Sequence, residues 1–150
     1  MENTAEPIPI LLFGKSLEVG STVTATMKPE VEVIHFMNST EYVEVNLRSL
    51  LEGKGPKEPS TTSLGTHNYA KPPRAVVFGR GATPEFVQEM YGMLHGVGVG
   101  NVAWLAGDPS VVPSKDGPPP GYAEKAANTV KKLLLNWVDA GAKDEGIIYY

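Results

Sequence analysis

The chain has no cysteine, which removes disulfides, thiolate metal sites, cysteine nucleophiles and thiol redox chemistry together. It has no excess of positive charge either: 13 basic against 17 acidic residues leave a net charge of −4, which argues against a protein that rides on nucleic-acid phosphates or anionic lipid. No apolar run reaches the length of a membrane span, and the acidic start, residues 1–7, lacks the basic and apolar regions of a secretory signal. A soluble, cytoplasmic protein is therefore expected, with no nucleic-acid and no membrane partner. No histidines and carboxylates stand at metal-ligand spacing, and there is no Gly-x-Ser-x-Gly elbow. No metal is expected, and the sequence carries no strong catalytic motif.

What is present is globular. With 150 residues, 41% of them hydrophobic and 20% charged, the chain suits one domain around one core. After the lead-in at 1–7, Ile8 to Phe13 is apolar at successive positions, as in a strand covered on both faces and expected at the sheet centre. Pro7 and Pro9 are tolerable only at its beginning. Val31 to Met37, Arg74 to Phe78 and Val102 to Ala106 read as further strands, and Ile147 to Tyr150 as an edge strand or a surface that pairs with another chain.

Helices are expected between them. Ser16 can cap a helix carrying Val19, Val23 and Met27 and stopped by Pro29, although Gly20 and the run Thr22 to Thr26 also admit a β reading. Val43, Leu47, Leu50 and Leu51 form a second stripe, entered through Asn38-Ser39-Thr40 and closed by Gly53. A third starts at Thr83-Pro84-Glu85 and buries Phe86, Met90, Met93, Leu94 and Val97, with Gly92 marking close packing. The last, Tyr122 to Ala140, carries Ala123, Ala126, Ala127, Val130, Leu133, Leu134, Trp137 and Val138 on one face and leaves Lys131 and Lys132 outside. The alternation predicts a three-layer α/β domain, flavodoxin-like or Rossmann-like, with a parallel sheet of four or five strands in the order 2-1-3-4, a fifth at the end. The stretch 54–73 has no periodicity, and a loop this long is a lid, a partner-binding arm or disordered. Residues 114–121 form a second rim loop.

Strand order 2-1-3-4 puts the switch point between the first and third strands, so Gly14-Lys15-Ser16 and Gly79-Arg80-Gly81 face one crevice. Gly14-Lys15 is not a phosphate loop, because the glycine required five residues earlier is Pro9. The start of the first helix at Ser16 could still hold one anion, or be a plain βα turn. Arg80, between glycines that allow close approach, suits a carboxylate or phosphate, or is a surface arginine in a turn. Asp108 could take a hydroxyl or pair with Arg80, and Gly-Asp-Pro is also an ordinary turn. His35 sits near a strand end, where a hydrogen-bonded core histidine is the common case. His67 and Tyr69 lie on the long loop, where function often resides, and His95 ends a helix where its charge complements the dipole.

Taken together, the first strand, Glu32-Val33-Ile34, Ala75 to Phe78, Thr83-Pro84-Glu85 and the run Gly96 to Val102 resemble the substrate-side lobe of D-2-hydroxyacid dehydrogenases over roughly residues 8 to 105. The resemblance implies a flavodoxin-like fold and an anion at Arg80. Gly100 stands where that run has Asp, Arg80 aligns with the family's substrate arginine only across a gap, and the nicotinamide-binding domain has no counterpart. Dehydrogenase activity is therefore not implied.

The leading expectation is a domain that binds a small anionic molecule, a nucleotide or an organic acid, at Gly14, Lys15, Ser16, Gly79, Arg80, Gly81 and Asp108, beneath the loop carrying His67 and Tyr69. An enzyme using His67 or His35 as acid or base is a second reading. NADP or FMN is then the candidate cofactor, NADP because Asn38-Ser39-Thr40 rather than an acidic residue follows the second strand. A third is a non-catalytic homodimer joined through the tail.

Overall fold

A computed structural model describes residues 6–110, 119–144 and 146–150. Most of the lead-in at 1–7 and of the 114–121 loop lie outside the described residues. Among the described residues five strands, β1 (Ile8–Phe13), β2 (Val31–Met37), β3 (Ala75–Phe78), β4 (Ala103–Ala106) and β5 (Ile147–Tyr149), alternate with four helices. These are α1 (Leu17–Met27), α2 (Thr40–Leu51), α3 (Pro84–Leu94) and α4 (Tyr122–Asp139). All neighbouring strands pair in parallel, in the order β2-β1-β3-β4-β5. This is a three-layer α/β sheet of the flavodoxin-like kind. β1 lies inside the sheet as expected, but β3 holds the middle, because the tail adds a fifth strand beside β4.

Burial explains the run-on apolar strands. Leu11, Phe13, Val76, Phe78 and Trp104 face α2 and α3, whereas Ile10, Leu12, Val77 and Leu105 face α1 and α4. With both faces covered, neither set of alternate residues can be polar. The helix starts follow capping chemistry, with Ser16, Ser39 and Thr83 accepting from the amides of Val19, Tyr42 and Phe86. The β reading of 22–26 is thereby excluded in favour of α1.

Three expectations about the helices are corrected. Met93 is not in the third stripe; it is 59% exposed, because its position lies off the arc occupied by Phe86, Val87, Met90 and Leu94. A side-chain carbon at Gly92 would meet nothing within 4 Å, so this glycine marks no close packing. Lys131 does not stand free: its Nζ donates to the Thr26 carbonyl at 3.3 Å and pairs with Glu30 at 3.2 Å, tying α4 to the end of α1.

The stretch 54–73 is a strap around the outer edge of β2. Its first part is held by a polar stripe on α2. Ser49 Oγ donates to the Gly55 carbonyl at 2.7 Å, and Asn46 Oδ1 accepts from the Glu58 amide at 2.8 Å. Its second part runs along the strand, where the Thr66 and His67 amides donate to the carbonyls of Val33 and Ile34 at 3.0 and 2.8 Å. Between them Leu64 packs into the core on the α1 side. An otherwise open sheet edge is covered.

Candidate functional site

Both predicted rims meet at a cleft of about 880 Å³ between α1 and α4, opening at the C-terminal ends of β1 and β3. Gly14, Lys15, Ser16, Gly79, Arg80 and Gly81 all line it. They converge because the Gly79 amide donates to the Phe13 carbonyl at 2.8 Å, an approach so close that an added side-chain carbon would come 3.1 Å from that oxygen. The aliphatic stem of Lys15 lies over Gly81, where an added carbon would come within 3.2 Å of it. Deeper walls are apolar, with Val19, Val23 and Met27 from α1 facing Ala126 and Val130 from α4. Cations stand at the mouth: Lys15, Arg80 and, from the first turn of α4, Lys125. No Asp or Glu is among the described lining residues. A volume in the range of small-molecule sites, apolar inside with polar groups to one side, is the general form of a ligand pocket.

Arg80 is already engaged. Its Nη2 donates to the main-chain carbonyl of Tyr150 at 2.8 Å and its Nη1 to that of Asp108 at 3.4 Å, and its guanidinium lies 5.2 Å from the Tyr150 ring centre. Gly107 is required beneath it, since a side-chain carbon there would fall 2.6 Å from Arg80 Cγ. Tyr150 in turn donates its hydroxyl to the Phe78 carbonyl at 2.8 Å, and burial pushes that phenol well above its ordinary range. Arg80 thus joins the end of β3 to the segment after β4 and the end of β5. Asp108 does not offer its carboxylate to Arg80. That carboxylate accepts from the Ser110 amide and hydroxyl at 2.9 and 2.8 Å, which lowers its pKa. It is the ordinary turn.

The loop residues lie elsewhere. His67 and Tyr69 belong to the strap and sit against His35; none of the three lines the cleft. A bulge between Ile10 and Leu11 pairs Ile10 with Val33 and Leu11 with His35. Ile34 and His35 consequently turn to the same face, toward α2. His35 is fully buried, with Nδ1 2.6 Å from the Tyr69 hydroxyl and Nε2 2.9 Å from that of Tyr42. Burial, followed by the nearby His67, lowers its pKa from 6.5 to about 4. Both ring nitrogens are engaged, so His35 offers none to a substrate in this arrangement. His67 is exposed and has backbone φ of 54°, a left-handed conformation in a non-glycine residue. His95 has its Nε2 2.5 Å from an Asp144 carboxylate oxygen and links α3 to the segment before β5.

Sequence reasoning missed Lys125, Tyr122 and Tyr150 at the cleft, and Tyr42, Asn46 and Glu58 around His35. A signal for the second group was present: Tyr42, Asn46 and Ser49 recur at i, i+4 and i+7 beside the apolar stripe of α2. A smaller depression of about 550 Å³ lies at the opposite end of the sheet, where Lys71 pairs with Glu6. Among the described residues no group of three or more His, Asp or Glu side chains could hold a metal, and no helix is long and apolar enough to cross a membrane.

Kojic acid related protein 6 of Aspergillus oryzae is 31% identical to this chain over 143 residues, spanning 95% of this chain and 86% of that protein. No family model and no solved structure matches the chain.

Proposed function

The chain belongs to the family of Kojic acid related protein 6, and from that premise we propose that it is a ligand-binding domain taking a small anionic molecule, a nucleotide or an organic acid, at the C-terminal edge of its sheet. The observation that carries this reading is the cleft at the switch point, where two lysines and an arginine stand at the mouth of an apolar interior. The N-termini of α1 and α4 both face it through Ser16 and Tyr122, adding the positive ends of two helix dipoles.

Lys15 and Lys125, not Arg80, are the residues to remove, because replacing Arg80 would also release the end of β5. The test is thermal stability of the wild type against NAD, NADP, FMN, ATP, coenzyme A, small carboxylic acids and, prompted by the relative's name, kojic acid. A true ligand at 100 times its dissociation constant contributes about 2.7 kcal/mol, a shift of several degrees. Lys15→Ala/Lys125→Ala should keep the unliganded melting temperature and lose that shift. An equal shift in the double variant, or none with any compound in the wild type, rejects the reading.

A further inference from the structure

We infer that the occupant of the cleft is an amphipathic organic acid and not a nucleotide, with one anionic group between Lys15 and Lys125 and an apolar body laid between α1 and α4; this rests on the ligand-binding reading of the same cleft. Most of the polar side chains lining it are already engaged within the protein. Ser16 Oγ accepts from the Val19 amide at 3.1 Å, Thr129 Oγ1 donates to the Lys125 carbonyl at 3.0 Å, and Tyr150 donates to Phe78. The guanidinium of Arg80 holds two main-chain carbonyls. Among the described residues this leaves the Lys15 and Lys125 ammonium groups and the Tyr122 hydroxyl without an internal partner.

A base and a ribose are read by carboxylates, carboxamides and free hydroxyls, and no Asp, Glu, Asn or Gln is among the described lining residues. One carboxylate between two ammonium groups makes fewer demands. Beneath it the walls contributed by Val19, Val23, Met27, Ala126 and Val130 are apolar down to the sheet at Leu12 and Val77. Such a surface gains affinity from methylenes, not from hydrogen bonds.

The test is calorimetric titration of the intact chain with straight-chain carboxylates from four to twelve carbons, kept below their micellar concentrations, beside the matching primary alcohols, ATP and NADP. Affinity should rise about threefold to fourfold per methylene, and each alcohol should bind at least tenfold more weakly than its acid. Ala126→Phe, which fills the apolar interior from a partly buried helix position, should abolish the dependence on chain length while circular dichroism and melting temperature stay near wild type. Lys15→Ala and Lys125→Ala should each weaken the acids and leave the alcohols unchanged.

Tight binding of ATP or NADP with weak binding of every acid overturns the ligand class while the cleft stands as a site. Acids that bind Ala126→Phe as tightly as wild type overturn the placement. No binding by any compound overturns the ligand-binding reading together with this one.

Discussion

At His35 the hydrogen-bond directions follow from the network. The Tyr42 hydroxyl donates to the Glu58 carbonyl at 2.8 Å, so its oxygen is left to accept from His35 Nε2–H. Nδ1 is then an acceptor, and Tyr69 donates to it. Burial, followed by the nearby His67, disfavours the charged ring. Above pH 6.5 the ring is neutral whether the chain is folded or not, and the contribution is fully present. Between 6.5 and about 4 the unfolded chain takes up a proton that the folded chain refuses, so stability falls with pH; below about 4 the loss is complete. It amounts to about 3 kcal/mol for a shift of this size. Denaturation of the wild type at stepped pH should show that loss across the window, and the His35 ring carbons should titrate by NMR near 4. Tyr69→Phe leaves Nδ1 without its donor, so at pH 7 it should lower stability by about 1 to 3 kcal/mol and reduce the slope below pH 6.5. A His35 that titrates at 6.5 would show that the network is not closed.

Two glycines inside helices carry the same cost in the sequence and opposite meanings in the structure. Gly20 of α1 lies against the buried ring of Phe36, where an added carbon would fall 2.6 Å away, with Leu64 of the strap at 3.4 Å. Gly92 of α3 faces open space. Gly92→Ala should therefore stabilise by about 1 kcal/mol through helix propensity alone. Gly20→Ala gains the same propensity but must displace the Phe36 ring from its place in the core, at a cost of about 1 to 3 kcal/mol, and should destabilise or at best break even. Urea unfolding of the two variants gives the comparison directly; stabilisation of equal size at both positions would mean that Phe36 yields freely. What was legible at this scale was whatever local chemistry decides: caps at Ser16, Ser39 and Thr83, and the apolar stripes. Met93 was misread because hydrophobicity marks a residue as able to be buried, and only the arc presented to the sheet decides whether it is. Lys131 was misread for the converse reason, since a long stem lets a charge reach a partner on another helix.

The order of the strands could be read because alternating β and α segments with right-handed crossovers admit few arrangements, and the switch-point cleft came with it. The strap could not, because its hold is made of main-chain bonds to an edge and side chains without period. The expected loop that carries His67 and Tyr69 over the cleft does not form: the chain turns down the side of β2 instead. Its critical position is Gly65, at φ +95°, where an added carbon would come within 3.1 Å of the Ile34 carbonyl and the His35 nitrogen, atoms that a paired strand cannot move. Gly65→Ala should cost about 1 to 3 kcal/mol in backbone strain and close contact. If the strap lifts to relieve it, the amides of Thr66 and His67 lose their acceptors on Val33 and Ile34 and β2 becomes an open edge. Hydrogen exchange at those two amides should then accelerate, with Tyr69 detached from His35 and the variant self-associating as its concentration rises. Retained protection at Thr66 and His67 with only a general loss of stability would mean that the strain is absorbed within the turn and that the polar stripe of α2 alone suffices to hold the strap in place.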